Sequence, residues 1–281
     1  MPTESSSLVP NQEPMKLAGD LQFTEGPLWH PDGHLLFSDI PADTIRKYTP
    51  GGGVETYLTP SRNSNGLTFD RQGRLMACEH TGRQVSRQGP GWRMETVASH
   101  WDGKRLNSPN DLVVHSSGRI FFTDPPYGIG PEQAEIGFNG VYRIDADDTV
   151  TLLGSDFGRP NGLAFSPDES ILYVDDTERR NVRAFDLRKD FTLVNDRVFI
   201  DMDVSEVGSP DGMKVDTEGN LYVTGGGGVW VITPEGNHLG TIAFPELPAN
   251  VAFGGDDYRT LFVTARTGLY SVGVNVPGIR P

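Results

Sequence analysis

The 281-residue chain contains 34 Gly and 21 Pro, a content of turn formers that favours many short strands over long helices. Its formal net charge of −14 argues against a nucleic-acid partner, because no basic cluster is available to neutralise phosphates. The single cysteine, Cys78, excludes an intrachain disulfide, and no apolar run approaches the roughly 18 residues that a membrane-spanning helix needs.

Residues 1–14 are polar and lack the apolar stretch of a signal peptide, so we expect them to form a flexible N-terminal tail. The remainder, 15–281, has neither a linker nor a shift in composition, and we expect it to form one domain. These features favour a cytoplasmic protein, or a periplasmic one if a leader has been removed. The quaternary state stays open between a monomer and a homodimer.

One short motif then recurs six times along the chain, at spacings of 39 to 51 residues. Each copy begins with a side chain that carries an oxygen atom. The six residues, called the ring residues below, are Glu25, Asn65, Asn110, Asn161, Asp211 and Asn250. In the first five copies a turn residue follows eight positions later and an aliphatic residue ten positions later, as in GLTFDRQGRLMACE. This pattern predicts a strand, a tight turn and a second strand in each unit.

Further β-rich runs, such as TIRKY, GVYRID and NVRAFDL, follow these hairpins. They raise each unit to about four strands in about 45 residues, which is the blade of a β-propeller. We therefore predict an all-β fold, a six-bladed β-propeller with four-stranded antiparallel blades. The last unit is short, and the N-terminal run KLAGDLQF is expected to supply its missing strand and close the ring. A large β-sandwich, or a pair of smaller β domains, is the alternative.

The first strand of each propeller blade lines the central channel, so the six ring residues are expected to meet at one end of it. A single Asn-Gly or Asp-Gly pair is usually a turn. However, two carboxylates among four amides would repel each other unless a proton or a cation lies between them. A divalent cation held by Glu25 and Asp211, with neutral oxygens from Asn161 and Asn110, satisfies this requirement. Such an all-oxygen set favours Ca²⁺, Mg²⁺ or Mn²⁺.

Several segments, in this order, resemble the senescence marker protein-30/gluconolactonase/luciferin-regenerating enzyme family. They are FTEGPLWHPDGHLLFSDI, NSPNDLVV, FTDPPYG, PNGLAFSPDESILYV and PDGMKVDTEGNLYVT. The resemblance covers nearly the whole chain and is strongest to bacterial gluconolactonases. It implies a propeller with one divalent metal ion that hydrolyses a sugar lactone, glucono-1,5-lactone or a related aldonolactone, to the aldonic acid.

The resemblance also implies roles for individual residues. The metal ligands of the family fall on Glu25, Asn161 and Asp211, with Ca²⁺ favoured and Mg²⁺, Mn²⁺, Zn²⁺ and Fe²⁺ as open alternatives. A further Asn of the family, which contacts the substrate or a metal-bound water, falls on Asn110. Animal members carry an Arg two residues before that Asn. This chain has Ser108 there, which leaves open which residues bind the sugar hydroxyls.

Lactone hydrolysis requires a polarised carbonyl and an activated water molecule. Because Ca²⁺ acidifies water weakly, Asp211 is predicted to be the catalytic base as well as a metal ligand. His80 and Tyr127 are expected at the same end of the channel and are candidate substrate-binding residues. Asp39, Asp124 and Asp175 end their strands and are expected to bind backbone amides.

Two other functions stay open at this point. The same metal site would also suit a phosphotriesterase-like or other ester hydrolase. A non-catalytic binding propeller is the alternative of a different class, and it predicts that removal of the metal leaves function untouched.

Overall fold

The structure, a computed structural model, describes residues 12–281, which form six four-stranded antiparallel sheets. Five of these sheets each take their strands from one repeat unit, and the sixth combines the last unit with an N-terminal strand, so each sheet is a blade. The first strand of every blade contacts the first strands of both neighbouring blades, and the six together surround a central channel. The predicted six-bladed β-propeller is therefore confirmed. Most of the predicted tail over 1–14 lies outside the described residues.

Blades 1 to 3 follow one another along the chain. Blade 1 consists of Thr24–His30, His34–Asp39, Thr44–Thr49 and Gly53–Leu58. Blade 2 consists of Ser64–Phe69, Leu75–Glu79, Gln84–Gln88 and Met94–Ala98. Blade 3 consists of Leu112–Val114, Ile120–Asp124, Gly140–Ile144 and Val150–Gly154. A ribbon of His100–Trp101 and Lys104–Arg105 and the short 3-10 helices Pro90–Trp92 and Pro131–Gln133 lie in the connections.

Blades 4 to 6 complete the circle. Blade 4 consists of Pro160–Phe165, Ile171–Asp176, Asn181–Leu187 and Leu193–Asp201. Blade 5 consists of Met213–Val215, Leu221–Gly225, Gly228–Ile232 and His238–Ile242. Blade 6 consists of Pro248–Gly254, Thr260–Ala265, Gly268–Gly273 and the N-terminal strand Met15–Ala18. This last strand pairs antiparallel to Gly268–Gly273, which confirms the predicted closure of the ring.

Apolar side chains between neighbouring blades form most of the core. One such cluster joins Leu36 of blade 1 to Leu67 and Leu75 of blade 2. Full burial of an aliphatic side chain contributes about 1.5–3 kcal/mol, so a blade is stable only against its neighbours. None of the helical segments in the described part of the chain has the length and apolar character to cross a membrane.

The glycines that follow ring residues serve close packing of the first strands. Gly26 and Gly66 lie inside strands, not in turns. A Cβ on Gly26 would lie 1.9 Å from the Asn65 carbonyl oxygen, and its φ of 49° is in the left-handed region. Only glycine therefore allows the first strands of blades 1 and 2 to approach this closely.

This approach can be tested by comparing Gly26→Ala with Gly33→Ala. Gly33 also has positive φ, 83°, but a Cβ there would meet nothing within 4 Å. Gly33→Ala should lower the free energy of unfolding by about 1–2 kcal/mol, the cost of a left-handed non-glycine residue. Gly26→Ala should lower it by about 1–3 kcal/mol more, because the neighbouring strand must move. Chemical denaturation measures both, and equal losses would contradict the close approach.

Candidate active site

The six ring residues meet at one end of the channel, as predicted. In blades 1, 2, 4 and 6 the pairing of the first two strands shifts register at or next to the ring residue. Such bulges bend the strand and redirect side chains. In blades 3 and 5 the ring residue lies just before the first strand. Five ring residues are buried, and Asp211 is half-buried.

Three amides of the ring form a hydrogen-bonded series. Asn65 Nδ2 donates to Asn110 Oδ1 at 2.5 Å, and Asn110 Nδ2 donates to Asn161 Oδ1. Asn161 Nδ2 in turn donates to Thr177 Oγ1 at 3.1 Å. The Thr177 hydroxyl donates to the carbonyl of Pro210, the residue before Asp211, at 2.8 Å. Thr177 therefore fixes Asn161 relative to blade 5.

Glu25, which is buried, and Asp211, which is half-buried, are two acids in direct contact. Glu25 Oε2 accepts hydrogen bonds from Asn250 Nδ2 at 2.9 Å and from the Gly26 amide at 2.7 Å. Burial raises the pKa of Glu25 to about 7. Burial and the neighbouring Glu25 raise the pKa of Asp211 well above its usual range, although a hydrogen bond with Asn161 opposes this. The three predicted metal ligands, Glu25, Asn161 and Asp211, thus lie together.

This donor set fits a hard divalent cation. A cation beside Glu25 and Asp211 would remove the burial and repulsion penalties that disfavour their charged forms. The oxygens of Asn161 and Asn110 are neutral donors of the kind that Ca²⁺ accepts. Within residues 12–281, no cluster of three or more His, Cys, Asp and Glu side chains is arranged to hold a metal. A site here would therefore depend on amide oxygens, which suits Ca²⁺ or Mg²⁺ better than Zn²⁺.

His80 and Tyr127 both lie beside the ring, as expected. His80 Nε2 is 3.0 Å from Asn110 Oδ1, and burial lowers the pKa of its imidazole. The Tyr127 hydroxyl lies 3.5 Å from Asn161 Nδ2, and the His80 and Tyr127 rings stack at 6.4 Å between centroids. Burial raises the pKa of Tyr127 to about 12, which keeps its hydroxyl protonated. Tyr127 is also 40% exposed, so part of its ring is open to a ligand.

Ser108 anchors the loop that carries Tyr127. Its backbone amide donates to Asp124 Oδ1 at 2.7 Å, and its Oγ accepts from the Gly128 amide at 2.8 Å. A Cβ on Gly128 would lie 2.4 Å from Ser108 Oγ and 2.7 Å from His80 Cβ. The Tyr127 loop therefore fills the space around this small, fully buried side chain.

The expectation for strand-end aspartates is confirmed for Asp39 and Asp124 and is wrong for Asp175. Asp39 and Asp124 each accept two backbone amides. In blade 4 it is Asp176 that binds the amides of residues 158 and 159. Asp175 lies one position earlier, so its side chain points to the opposite face of the strand. It is fully buried, and its oxygens make no hydrogen bond of normal geometry among the described residues, although the Gly162 amide lies near enough to oppose the rise of its pKa.

Two residues at the site were missed by the sequence analysis, Thr177 and Arg159. Thr177 directly follows the end of its strand, as His80 does in blade 2, but it lies one position later in the motif because the second strand of blade 4 ends at Asp176. Arg159 lies two residues before Asn161, and its guanidinium carbon is 5.7 Å from the centroid of the Tyr127 ring. The sequence signal for Arg159 was available, because the steps SPN, RPN and SPD precede three successive blades.

Comparison with known proteins shows that the resemblance to the gluconolactonase family extends over most of the propeller. A family model described as SMP-30/Gluconolactonase/LRE-like region matches residues 23–267. A gluconolactonase from Zymomonas mobilis is 36% identical over 89% of this chain and 78% of its own length. The pentonolactonase XacC from Haloferax volcanii is 32% identical over 87% of this chain and 81% of its own. A solved gluconolactonase structure from Xanthomonas campestris has a TM-score of 0.89 at 33% identity, covering 98% of this chain and 94% of that one.

The anchoring role of Ser108 predicts that Ser108→Ala loosens the Tyr127 loop. Loss of the acceptor for the Gly128 amide should speed hydrogen exchange at the amides of residues 127–130 and lower stability by about 1 kcal/mol. Exchange measured by mass spectrometry checks this, with Ser99→Ala as control, because the Ser99 hydroxyl bonds the exposed His100 side chain. Unchanged exchange in Ser108→Ala would show that other contacts hold the loop.

Proposed function

The chain belongs to the SMP-30/gluconolactonase/LRE-like family, and we propose that this lactonase hydrolyses an aldonolactone with the help of one divalent metal ion. Glucono-1,5-lactone and pentonolactones are the substrate candidates, since relatives over most of the chain are a gluconolactonase and a pentonolactonase. The observation that supports metal dependence is the buried contact between Glu25 and Asp211 beside the Asn161 amide.

Glu25, Asn161 and Asp211 would hold the metal, and Ca²⁺ is the best match to these donors. When bound, the metal supplies Lewis-acid polarisation of the lactone carbonyl. Three protein donors are fewer than the 6–8 oxygens that Ca²⁺ takes, which leaves positions for water and substrate. Asn250 contributes by holding Glu25 Oε2 in place.

Asp211 is the proposed catalytic base. It is half-buried, whereas the other five ring residues are buried, so a water molecule can reach its carboxylate. The water oxygen adds to the lactone carbonyl carbon while its proton passes to Asp211. The same proton then passes to the ring oxygen as the bond between that oxygen and the carbonyl carbon breaks. The product is the open-chain aldonic acid, and Asp211 is restored as a carboxylate.

The remaining predicted residues would bind and orient the sugar. Asn110 lies within reach of hydroxyl groups or of the attacking water, and His80 fixes its amide. Burial keeps the His80 imidazole neutral, so it adds no positive charge next to the cation. The exposed part of the Tyr127 ring suits one face of a sugar, and its protonated hydroxyl is a hydrogen-bond donor.

The mechanism predicts that Asp211→Asn lowers turnover far more than it lowers metal affinity. Asn keeps an oxygen for the metal but cannot accept the proton, so kcat should fall by about 10²–10⁴-fold. Proton release from glucono-1,5-lactone measures kcat after subtraction of spontaneous opening, and calorimetry measures Ca²⁺ binding.

Asp201→Asn is the matched control, because Asp201 is an exposed residue at the end of the outer strand of blade 4. Turnover near the wild-type value in Asp211→Asn would refute the base assignment. An organophosphate ester assayed in parallel tests the alternative ester hydrolase. A wild-type protein that opens no aldonolactone with any divalent metal would refute the proposed function.

Thr177→Val tests how the metal site is held in place. The substitution keeps the shape of the side chain but removes the hydroxyl between Asn161 and the Pro210 carbonyl. Loss of such a supporting contact typically weakens metal affinity by about 10–100-fold. Calorimetric Ca²⁺ titration of chelator-treated protein measures the effect. Thr96→Val on the outer strand of blade 2 is the control, and an equal loss there would attribute the effect to general destabilisation.

A further inference from the structure

Arg159 occupies a position at the mouth of the channel that the proposed mechanism does not use. It belongs to the step RPN before blade 4, whereas the equivalent steps before blades 3 and 5 are SPN and SPD. The residue two places after it is Asn161, whose amide belongs to the ring. Of these three equivalent positions, therefore, only the one in blade 4 places a positively charged side chain beside the site.

The backbone of Arg159 is fixed on both sides. Its amide donates to Asp176 Oδ1 at 2.9 Å, and its carbonyl accepts from the Thr177 amide at 3.0 Å. Its guanidinium carbon lies 5.7 Å from the centroid of the Tyr127 ring. Proceeding outward from the ring, the order is therefore Asn161, Tyr127 and Arg159.

The guanidinium itself is only weakly engaged. Among residues 12–281 its one ion pair joins Nε to Glu178 Oε2 at 3.5 Å, and the two side chains are 49% and 62% exposed. Such an exposed pair stabilises a fold little. Arg179 differs, although it is 41% exposed, because it is held by Asp156 at 2.6 Å and also contacts Asp176. The N–H donors of Arg159 are thus available to a ligand, whereas those of Arg179 are already engaged by Asp156 and Asp176.

We propose that Arg159 is a specificity-determining residue that binds the hydroxyl groups of the lactone remote from its carbonyl. This inference rests on the proposed function, which places the carbonyl at Glu25, Asn161 and Asp211. The distal part of the sugar then lies along Tyr127 towards Arg159. The guanidinium fork donates to neighbouring hydroxyl oxygens, and the Glu178 carboxylate accepts from their hydrogens. In this arrangement one face of the sugar packs on Tyr127 and its hydroxyl groups bond Arg159 and Glu178, so each of the three side chains has a role.

Arg159→Gln, with Arg159→Lys and the control Arg179→Gln, tests the proposal on two lactones. Glucono-1,5-lactone carries the hydroxyls, and δ-valerolactone has the same ring size without them. Arg159→Gln should lower kcat/KM for gluconolactone by about 10–100-fold, mainly through KM, because hydrogen bonds from a charged donor are lost. Its kcat/KM for δ-valerolactone should stay within about twofold of wild type. The kcat/KM of Arg159→Lys for gluconolactone should lie between those of Arg159→Gln and the wild type. Arg179→Gln makes the same change of charge and should leave kcat/KM for both lactones unchanged.

An unchanged KM for gluconolactone in Arg159→Gln would overturn the inference, as would equal losses on the two lactones. A loss seen only with a lactone that carries an anionic group, such as 6-phosphoglucono-1,5-lactone, would also overturn it in favour of charge recognition. If the wild type does not open δ-valerolactone, the gluconolactone data decide alone. A lower kcat without a higher KM in Arg159→Gln would then contradict the inference. A wild type without any lactone hydrolysis refutes the proposed function instead, so the two failures are distinguishable.

Discussion

The repulsion between two carboxyl groups buried side by side is the constraint on which this site depends. Glu25 of blade 1 and Asp211 of blade 5 meet at the end of the channel, where Glu25 is buried and Asp211 is half-buried. Neither is stable there as an isolated anion, and burial accordingly raises the pKa of both. The divalent cation that we propose would turn this unfavourable pair into a binding site. The same burial that disfavours the metal-free anions is therefore the physical reason for proposing a cation at this site.

Holding such a pair requires a rigid surrounding, and the propeller provides it through close contact between first strands. A Cβ on Gly212 would lie 2.1 Å from Asn250 Oδ1, just as one on Gly26 would overlap the Asn65 carbonyl. These glycines bring neighbouring strands together where the ring residues point inward. The apolar clusters that stabilise the fold lie between blades, as in the contact of Leu36 with Leu67. The polar residues of the site and the apolar residues that stabilise the fold thus lie in different parts of each blade.

Features that depend on repetition could be predicted from the sequence, whereas features that depend on one side chain reaching another could not. The six ring residues, the four-stranded blades and the closing N-terminal strand all follow from a motif repeated along the chain. The error at Asp175 shows the limit, because a shift of one residue in a strand exchanges its two faces. Thr177 and Arg159 act across blades, and their partners are set by loop geometry that no spacing encodes. The sequence marks Ser108 only by the absence of an Arg, because its hydrogen bond with the Gly128 amide depends on the fold of another loop.

The surroundings of Ser108 explain why recognition of the sugar should fall to blade 4. The Gly128 backbone lies directly against Ser108 Oγ, and even a Cβ on Gly128 would collide with it. A long side chain at position 108 would therefore displace the loop and move Tyr127 away from Asn161. The Tyr127 loop and an arginine at 108 thus exclude each other by volume. The guanidinium that we propose to bind the sugar accordingly belongs to the next blade, where the equivalent position holds Arg159.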